Sequence, residues 1–298
     1  MVKTSIIIPT YHRTECLLRL LQSISEQDEK DIEILIVEQG ENHKKDIVSY
    51  AKKHYLQISY IFIKHPNMPK ARNVGARIAK GRYLVFYDDD VILTPHALHR
   101  LVDAFSRTNG DLIGGRVTMP DRPDDKESVH TGRISYLCSF SENFSSLVPQ
   151  SVDTVIGCHM AMKKSVFDNV GGFDEHFIGN ALREESDFSL RVKDKGYTVL
   201  FDPSATVVHL RAAHGGANKS DNRLFWYYCF FHNETYFFLK HRPLVLLPIY
   251  MMKKISYILR CMFGFGREVS VRSFITPIVG IRDGIETFYK VSPCKNAR

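Results

Sequence analysis

The sequence predicts an α/β fold: a mostly parallel, mixed sheet flanked by helices, with a helical extension at the C-terminal end. Three observations carry that expectation. Short β-branched apolar runs alternate with helix-length segments through the first third of the chain, the pattern of βαβ units. Polar clusters sit where the apolar runs stop, and ligands of such sheets bind beyond the carboxyl ends of strands. Of 298 residues, 44% are apolar and 24% charged, enough for a real core.

Each element has its own signal. "TSIIIPT" is a β-branched run stopped by Pro9, a buried strand, and "RTECLLRLLQSISEQ" follows with apolar residues at helical spacing. "DIEILIVEQG" is a second strand closed by Gly40, "HKKDIVSYAKKH" a helix and "LQISYIFIKH" a third strand. "MPKARNVGARIAKG" opens with Pro69 near a helix start and closes with Gly81. "RYLVFY" is a fourth strand running into acidic residues, and "TPHALHRLVDAFSRT" the next helix. Residues 119–152 are polar and irregular, expected to form a mobile loop over the site. Compact structure resumes after them, and helices are expected from Asn222 onward.

The sharpest chemical signal is Asp88, Asp89 and Asp90, side by side at the end of an apolar strand. Crowded carboxylates raise one another's pKa and need a positive partner. On extended backbone Asp88 and Asp90 share a side and Asp89 faces away. Two carboxylates on one side suit a hard divalent cation, Mn²⁺ or Mg²⁺, whose shell substrate phosphates complete. A solvated acidic turn capping the following helix is the plainer alternative. Pro9, Thr10, Tyr11 and Glu38 also lie at strand ends and should meet the aspartates in one crevice. No GxGxxG follows the first strand, which counts against dinucleotide binding.

"SIIIPTYHR", "ARNVGARIAKGRYLVFYDDD", "GGFDE" and "EESDFSLRVKDKGYTVLFDPSATVVHL", in that order, resemble the family-2 glycosyltransferases of bacterial polysaccharide and rhamnosyl transfer, over about Lys3 to Gly216. The resemblance implies a GT-A fold, a Rossmann-like mixed sheet. It also implies metal-dependent, inverting transfer of a sugar from a nucleotide-diphosphate donor to a hydroxyl of a saccharide or lipid-linked saccharide. It assigns Asp88, Asp90 and His209 to the metal. Pro9, Thr10, Tyr11, Glu38, Lys70, Arg72, Asn73, Asp88 and Asp89 go to the donor. Glu185 is the implied base, with Glu184 as runner-up. Asp174 and Asp187 go to the acceptor side. Glu stands at positions 38 and 185 where the family more often has Asp. The loop "HLRAAHGGANKS" would close over the diphosphate.

Charge divides the chain unevenly. From Asn222 on, 12 Lys/Arg face 4 Asp/Glu, a net +8, while the remainder nets −1 and the same tail holds 16 of 34 aromatics. The expected division is therefore a catalytic domain, 1–221, and a basic, aromatic helical region, 222–298. That region would either meet an anionic membrane surface or pack on the body. Its nine-residue apolar run before Lys253 is short of the roughly 20 residues that span a bilayer. No nucleic-acid module is present, so nucleic acid is not an expected partner. Six scattered cysteines without CxxC spacing read as reduced thiols, and no secretory leader is expected at "MVKTSIIIPTYHR". The expected location is cytoplasmic, peripheral at the inner face of the membrane. Two rivals stay open: a nucleotidyltransferase, and a non-catalytic nucleotide-sugar-binding or scaffold protein.

Overall fold

The structure is a computed structural model and describes residues 3–40, 42–54, 56–212, 223–263 and 271–291. Ile6, Ile7 and Ile8 of β1 (Thr4–Tyr11) are fully buried, because helices cover both faces of this central strand. Burial of each such side chain stabilises the fold by about 1.5–3 kcal/mol. β2 (Ile32–Gln39) and β3 (Ile58–Ile63) extend the sheet in parallel on one side, and β4 (Tyr83–Tyr87) pairs in parallel on the other. α1 (Thr14–Ser25), α2 (Lys44–Lys53) and α3 (Met68–Ile78) are the crossovers. α1 buries Leu17, Leu20, Leu21 and Ile24, the stripe its spacing predicts.

The second half is mixed. After β5 (Val91–Leu93), α4 (Ala97–Arg107) and β6 (Leu112–Thr118), residues 119–152 hold three two-residue strands: β7 (Arg133–Ile134), β8 (Phe140–Ser141) and β9 (Gln150–Ser151). β10 (His159–Lys163) then runs antiparallel between β4 and β6. α5 (Lys164–Val170), α6 (Glu184–Asp194) and the long β11 (Val199–His209) complete the body. Among the described residues one nine-stranded sheet forms in the order β3-β2-β1-β4-β10-β6-β11-β5, with β9 on β11. The 119–152 segment is irregular as expected, yet pinned rather than loose. Val117 N–H donates to the Phe144 carbonyl, Leu147 N–H to that of Lys126, and Thr131 and Ser146 are fully buried.

The tail is helical as expected: α7 (Arg223–His241), α8 (Leu247–Phe263) and α9 (Val271–Val291). α7 is buried on every side from Phe231 to Leu239. Its Tyr236, Phe237 and Phe238 share a core with Phe177 of the body, Tyr250 of α8 and Phe288 of α9. α9 approaches α7 at Gly280 and Gly284, where a Cβ would strike the Tyr228 and His232 carbonyls. Ion pairs add to this join: Lys240 of α7 reaches both Asp174 (2.5 Å) and Asp187 (2.6 Å) of the body. Cys16, Cys138, Cys158 and Cys229 are free thiols.

Candidate active site

A crevice of about 350 Å³ opens at the carboxyl ends of β1 and β4. Among the described residues its wall includes Pro9, Thr10, Tyr11, Asp88, Asp89, Asp90 and His209, all expected there. Arg13, Gln39, Asn180 and Trp226 also line it and had no assigned role.

Strand ends explain the convergence. Asp88 follows β4, Asp90 precedes β5, and His209 ends β11, which pairs antiparallel with β5 so that His209 stands opposite Val91. His209 Nε2 donates to Asp90 Oδ1 at 3.0 Å. Burial pulls the His209 imidazole down, but the Asp90 hydrogen bond and charge outweigh it and leave the pKa raised. Burial likewise pushes Asp90 up, and His209 with Arg13 brings it below the ordinary carboxylate range.

The positive partner of Asp89 and Asp90 in this structure is Arg13, just past β1, while Asp88 meets Arg72. The Arg13 guanidinium donates to Asp89 Oδ1 at 3.2 Å and Asp90 Oδ2 at 2.9 Å. Thr10 Oγ1 donates to Asp89 Oδ2 at 2.7 Å. Burial still lifts the Asp89 pKa to about 7, against the pull of Arg13. The signal for Arg13 lay in "PTYHR", a base directly after a strand end.

Asp88, Asp90 and His209 also fit a divalent ion. One ligand atom from each lies within 4.8 Å of the others, and His209 Nδ1 is buried without a hydrogen-bond partner. Two carboxylates supply the hard oxygen donors that Mn²⁺ and Mg²⁺ both take, with an imidazole beside them.

Arg72 of α3 ties the aspartates to the start of α6. It donates to Asp88 Oδ1 at 2.9 Å and to the Gly157 carbonyl at 3.1 Å, and it pairs with Glu184. Gly157 leaves room for this contact, since a Cβ there would lie 2.9 Å from the guanidinium and displace it. Glu184 is thus committed to a buried ion pair, with Arg72 and Glu184 only 3% and 2% exposed. The adjacent Glu185 is half-buried and makes no salt bridge among the described residues. Burial lifts its carboxyl above the ordinary glutamate range, against its own backbone N–H, Arg183 and Arg72. Both glutamates sit in the first turn of α6, where the helix dipole favours acids.

Eight expected residues stand outside the crevice wall: Arg72, Glu184 and Glu185, just described, and five more. Glu38 is buried, accepting from Tyr60 and from the His43 backbone at 2.8 Å. Lys70 is exposed, its N–H donating to the capping Asn67 side chain. Asn73 holds the 173–175 turn by donating to the Phe173 carbonyl and Glu175 and accepting from Phe173 N–H. Asp174 accepts from Tyr236 at 2.8 Å and pairs with Lys240. Asp187, fully buried, meets Arg191, Lys240 and His241. Both aspartates are held below the ordinary range, their cationic partners outweighing burial. Most of the proposed diphosphate loop, residues 213–220, lies outside the described residues.

The family model described as "Glycosyl transferase family 2" matches residues 5–171. The poly(ribitol-phosphate) beta-N-acetylglucosaminyltransferase TarP of Staphylococcus aureus is 25% identical over 68% of this chain and 64% of its own length. The GalNAc(5)-diNAcBac-PP-undecaprenol beta-1,3-glucosyltransferase of Campylobacter jejuni is 25% identical over 76% of this chain and 71% of its own. A match to the first of these thus spans less than two thirds of the relative. The mannosyltransferase PcManGT of Pyrobaculum calidifontis, solved with GDP-Man and Mn²⁺, superposes with TM-score 0.60 at 16% identity, covering 98% of this chain and 81% of that one. The fold is therefore GT-A, a mixed and mostly parallel sheet flanked by helices, with C-terminal helices.

Proposed function

The chain belongs to glycosyl transferase family 2, and from that premise we propose that it transfers a sugar from a nucleotide-diphosphate donor to a hydroxyl of a saccharide or lipid-linked saccharide, with inversion, in surface polysaccharide synthesis. The observation that carries this reading is the meeting of Thr10, Asp88, Asp89, Asp90 and His209 in one crevice. Pro9, Thr10 and Tyr11 would border the nucleotide, and Asp89, steadied by Thr10 and Arg13, its ribose or sugar. Asp88, Asp90 and His209 would hold Mn²⁺ or Mg²⁺. When bound, such an ion supplies Lewis-acid charge against the diphosphate.

Glu185 is the base. An acceptor hydroxyl is a weak nucleophile until it loses its proton. The hydroxyl oxygen bonds to the anomeric carbon as the bond to the diphosphate oxygen breaks, and the hydroxyl proton passes to the Glu185 carboxylate. Glu184 takes a positioning role through Arg72. Lys70, Arg72 and Asn73 then act on the donor only indirectly, through Asn67, Asp88 and the 173–175 turn. Asp174 and Asp187 would act on the acceptor side by fixing α7. A lipid-linked acceptor implies peripheral attachment at the inner face of a membrane. The non-catalytic reading draws on Glu38, whose carboxylate is spent inside the protein.

The test is a thermal-shift panel of UDP-, GDP- and dTDP-sugars, each with and without Mn²⁺, on the wild type and Asp90→Ala. One base should raise Tm only with Mn²⁺, and Asp90→Ala should abolish the gain. No shift with any nucleotide defeats the donor reading. Donor binding without hydrolysis or transfer to any acceptor would favour the non-catalytic one.

A further inference from the structure

We propose that α8 lies in the plane of an anionic lipid bilayer, with its Ile249, Met252, Ile255 and Leu259, and Val245 of the turn just before it, turned into the acyl region. This assigns a face to the membrane placement proposed above and rests on it.

The helix is built inside out. A surface helix normally buries apolar residues and exposes charge. Here Tyr250, Lys254 and Ile258, four residues apart, face inward, and Lys254 is only 5% exposed. Its ammonium is neutralised by Glu234 at 2.7 Å. Outward stand Val245 at 80% exposure, Met252 at 70%, Ile249 and Ile255 at 53% and Leu259 at 42%. Within α8 the spacing of three, three and four residues puts Ile249, Met252, Ile255 and Leu259 on one stripe, and exposed Val245 precedes it. A contiguous apolar stripe in water marks an interaction surface.

Charge selects the occupant. Residues 235–267 contain six Lys/Arg and no Asp/Glu; Lys240 and Lys254 are spent on internal ion pairs, which leaves four, Arg242, Lys253, Arg260 and Arg267. A second copy of the chain would set this positive charge against itself, whereas anionic headgroups complement it. Over its described residues α8 is too short for a span. The 17 residues of α8 reach about 25 Å at 1.5 Å each, short of a hydrocarbon core of about 30 Å. Among the described residues no helix is long and apolar enough to cross a membrane. An amphipathic helix of this kind lies along the interface. α9 adds exposed Phe274, Ile275 and Ile278 beside Arg272.

The stripe is tied to the active site. Glu234 bonds Lys254 of α8 on one side and Arg183 on the other, at 2.6 Å, and Arg183 directly precedes Glu184 and Glu185. Docking through α8 would therefore hold the crevice at a set orientation to the surface.

The experiment is flotation of the full chain with vesicles of phosphatidylcholine alone or mixed with phosphatidylglycerol. It compares the wild type with Ile249→Ser/Met252→Ser/Ile255→Ser, three exposed positions away from the crevice. Wild type should float with the anionic vesicles only, and the variant should partition about tenfold less or weaker. The variant's Tm and its donor-induced shift should match the wild type. Equal flotation of the variant overturns the α8 assignment but leaves the membrane placement standing. Failure of the wild type to float overturns both, while donor binding is read separately. Equal flotation with neutral vesicles overturns the anionic preference. A lipid-free dimer that the substitutions abolish would make a second copy the occupant and overturn the proposal.

Discussion

Glu184 and Glu185 are neighbours with opposite commitments: one is locked to Arg72, the other has no ion-pair partner among the described residues. Glu185→Gln keeps the shape and removes the base. It should lower kcat by about 10²–10⁴-fold and leave donor affinity nearly unchanged, as steady-state kinetics and a donor titration would read. The wild-type pH profile should follow the same group. A raised pKa means the carboxyl takes up its proton at higher pH than an ordinary glutamate, so kcat/KM should fall earlier on the acid side. A profile flat through the acid range would count against Glu185. At this scale Asp88, Asp90 and His209 were legible because each ends or begins an apolar run. Arg13 was visible only as a base past a strand end, because nothing in a sequence says which acids a lone base will meet. The contact of Glu38 was hidden for a related reason: its partner Tyr60 comes from the adjacent strand β3, in a register the sequence does not print.

Among the elements, β10 and α7 carry the sharpest tests. His159 opens β10 opposite Tyr87, fully buried, and burial drops its pKa to about 4. The folded state thus resists a proton that the unfolded chain accepts below about 6.5. Stability should fall as pH drops from 6.5 to 4, by roughly 2–3 kcal/mol from this group alone. His159→Gln retains a donor for the Ala205 carbonyl and removes the titration. Urea melts at several pH values should show a shallower acid slope; an unchanged slope would exonerate His159. Lys240→Met would leave Asp174 and the buried Asp187 short of a counter-charge, and should cost about 3 kcal/mol in the same assay. The helices and the longer strands as far as α4 were readable from periodicity. β7, β8 and β9 were not, since two residues carry no period, and their positions follow from pairing with distant chain. The 119–152 segment was read as loose for that reason, though Thr131 and Ser146 pin it.

For the molecule as a whole, the charge asymmetry was plain in composition, but the join between body and tail was not. Phe177, Asp174 and Asp187 lie in the body and find their partners on α7. The full chain should therefore unfold in one transition, with coincident urea midpoints in far- and near-ultraviolet circular dichroism. Two separated midpoints would mean that body and tail are independent. The tail's intrusion has a last effect. The chain's one tryptophan, Trp226, belongs to α7 yet forms part of the crevice wall. A nucleotide ring arriving there would perturb the sole indole emitter, so the native protein is its own fluorescent titration probe, with no label and no second indole to obscure the signal.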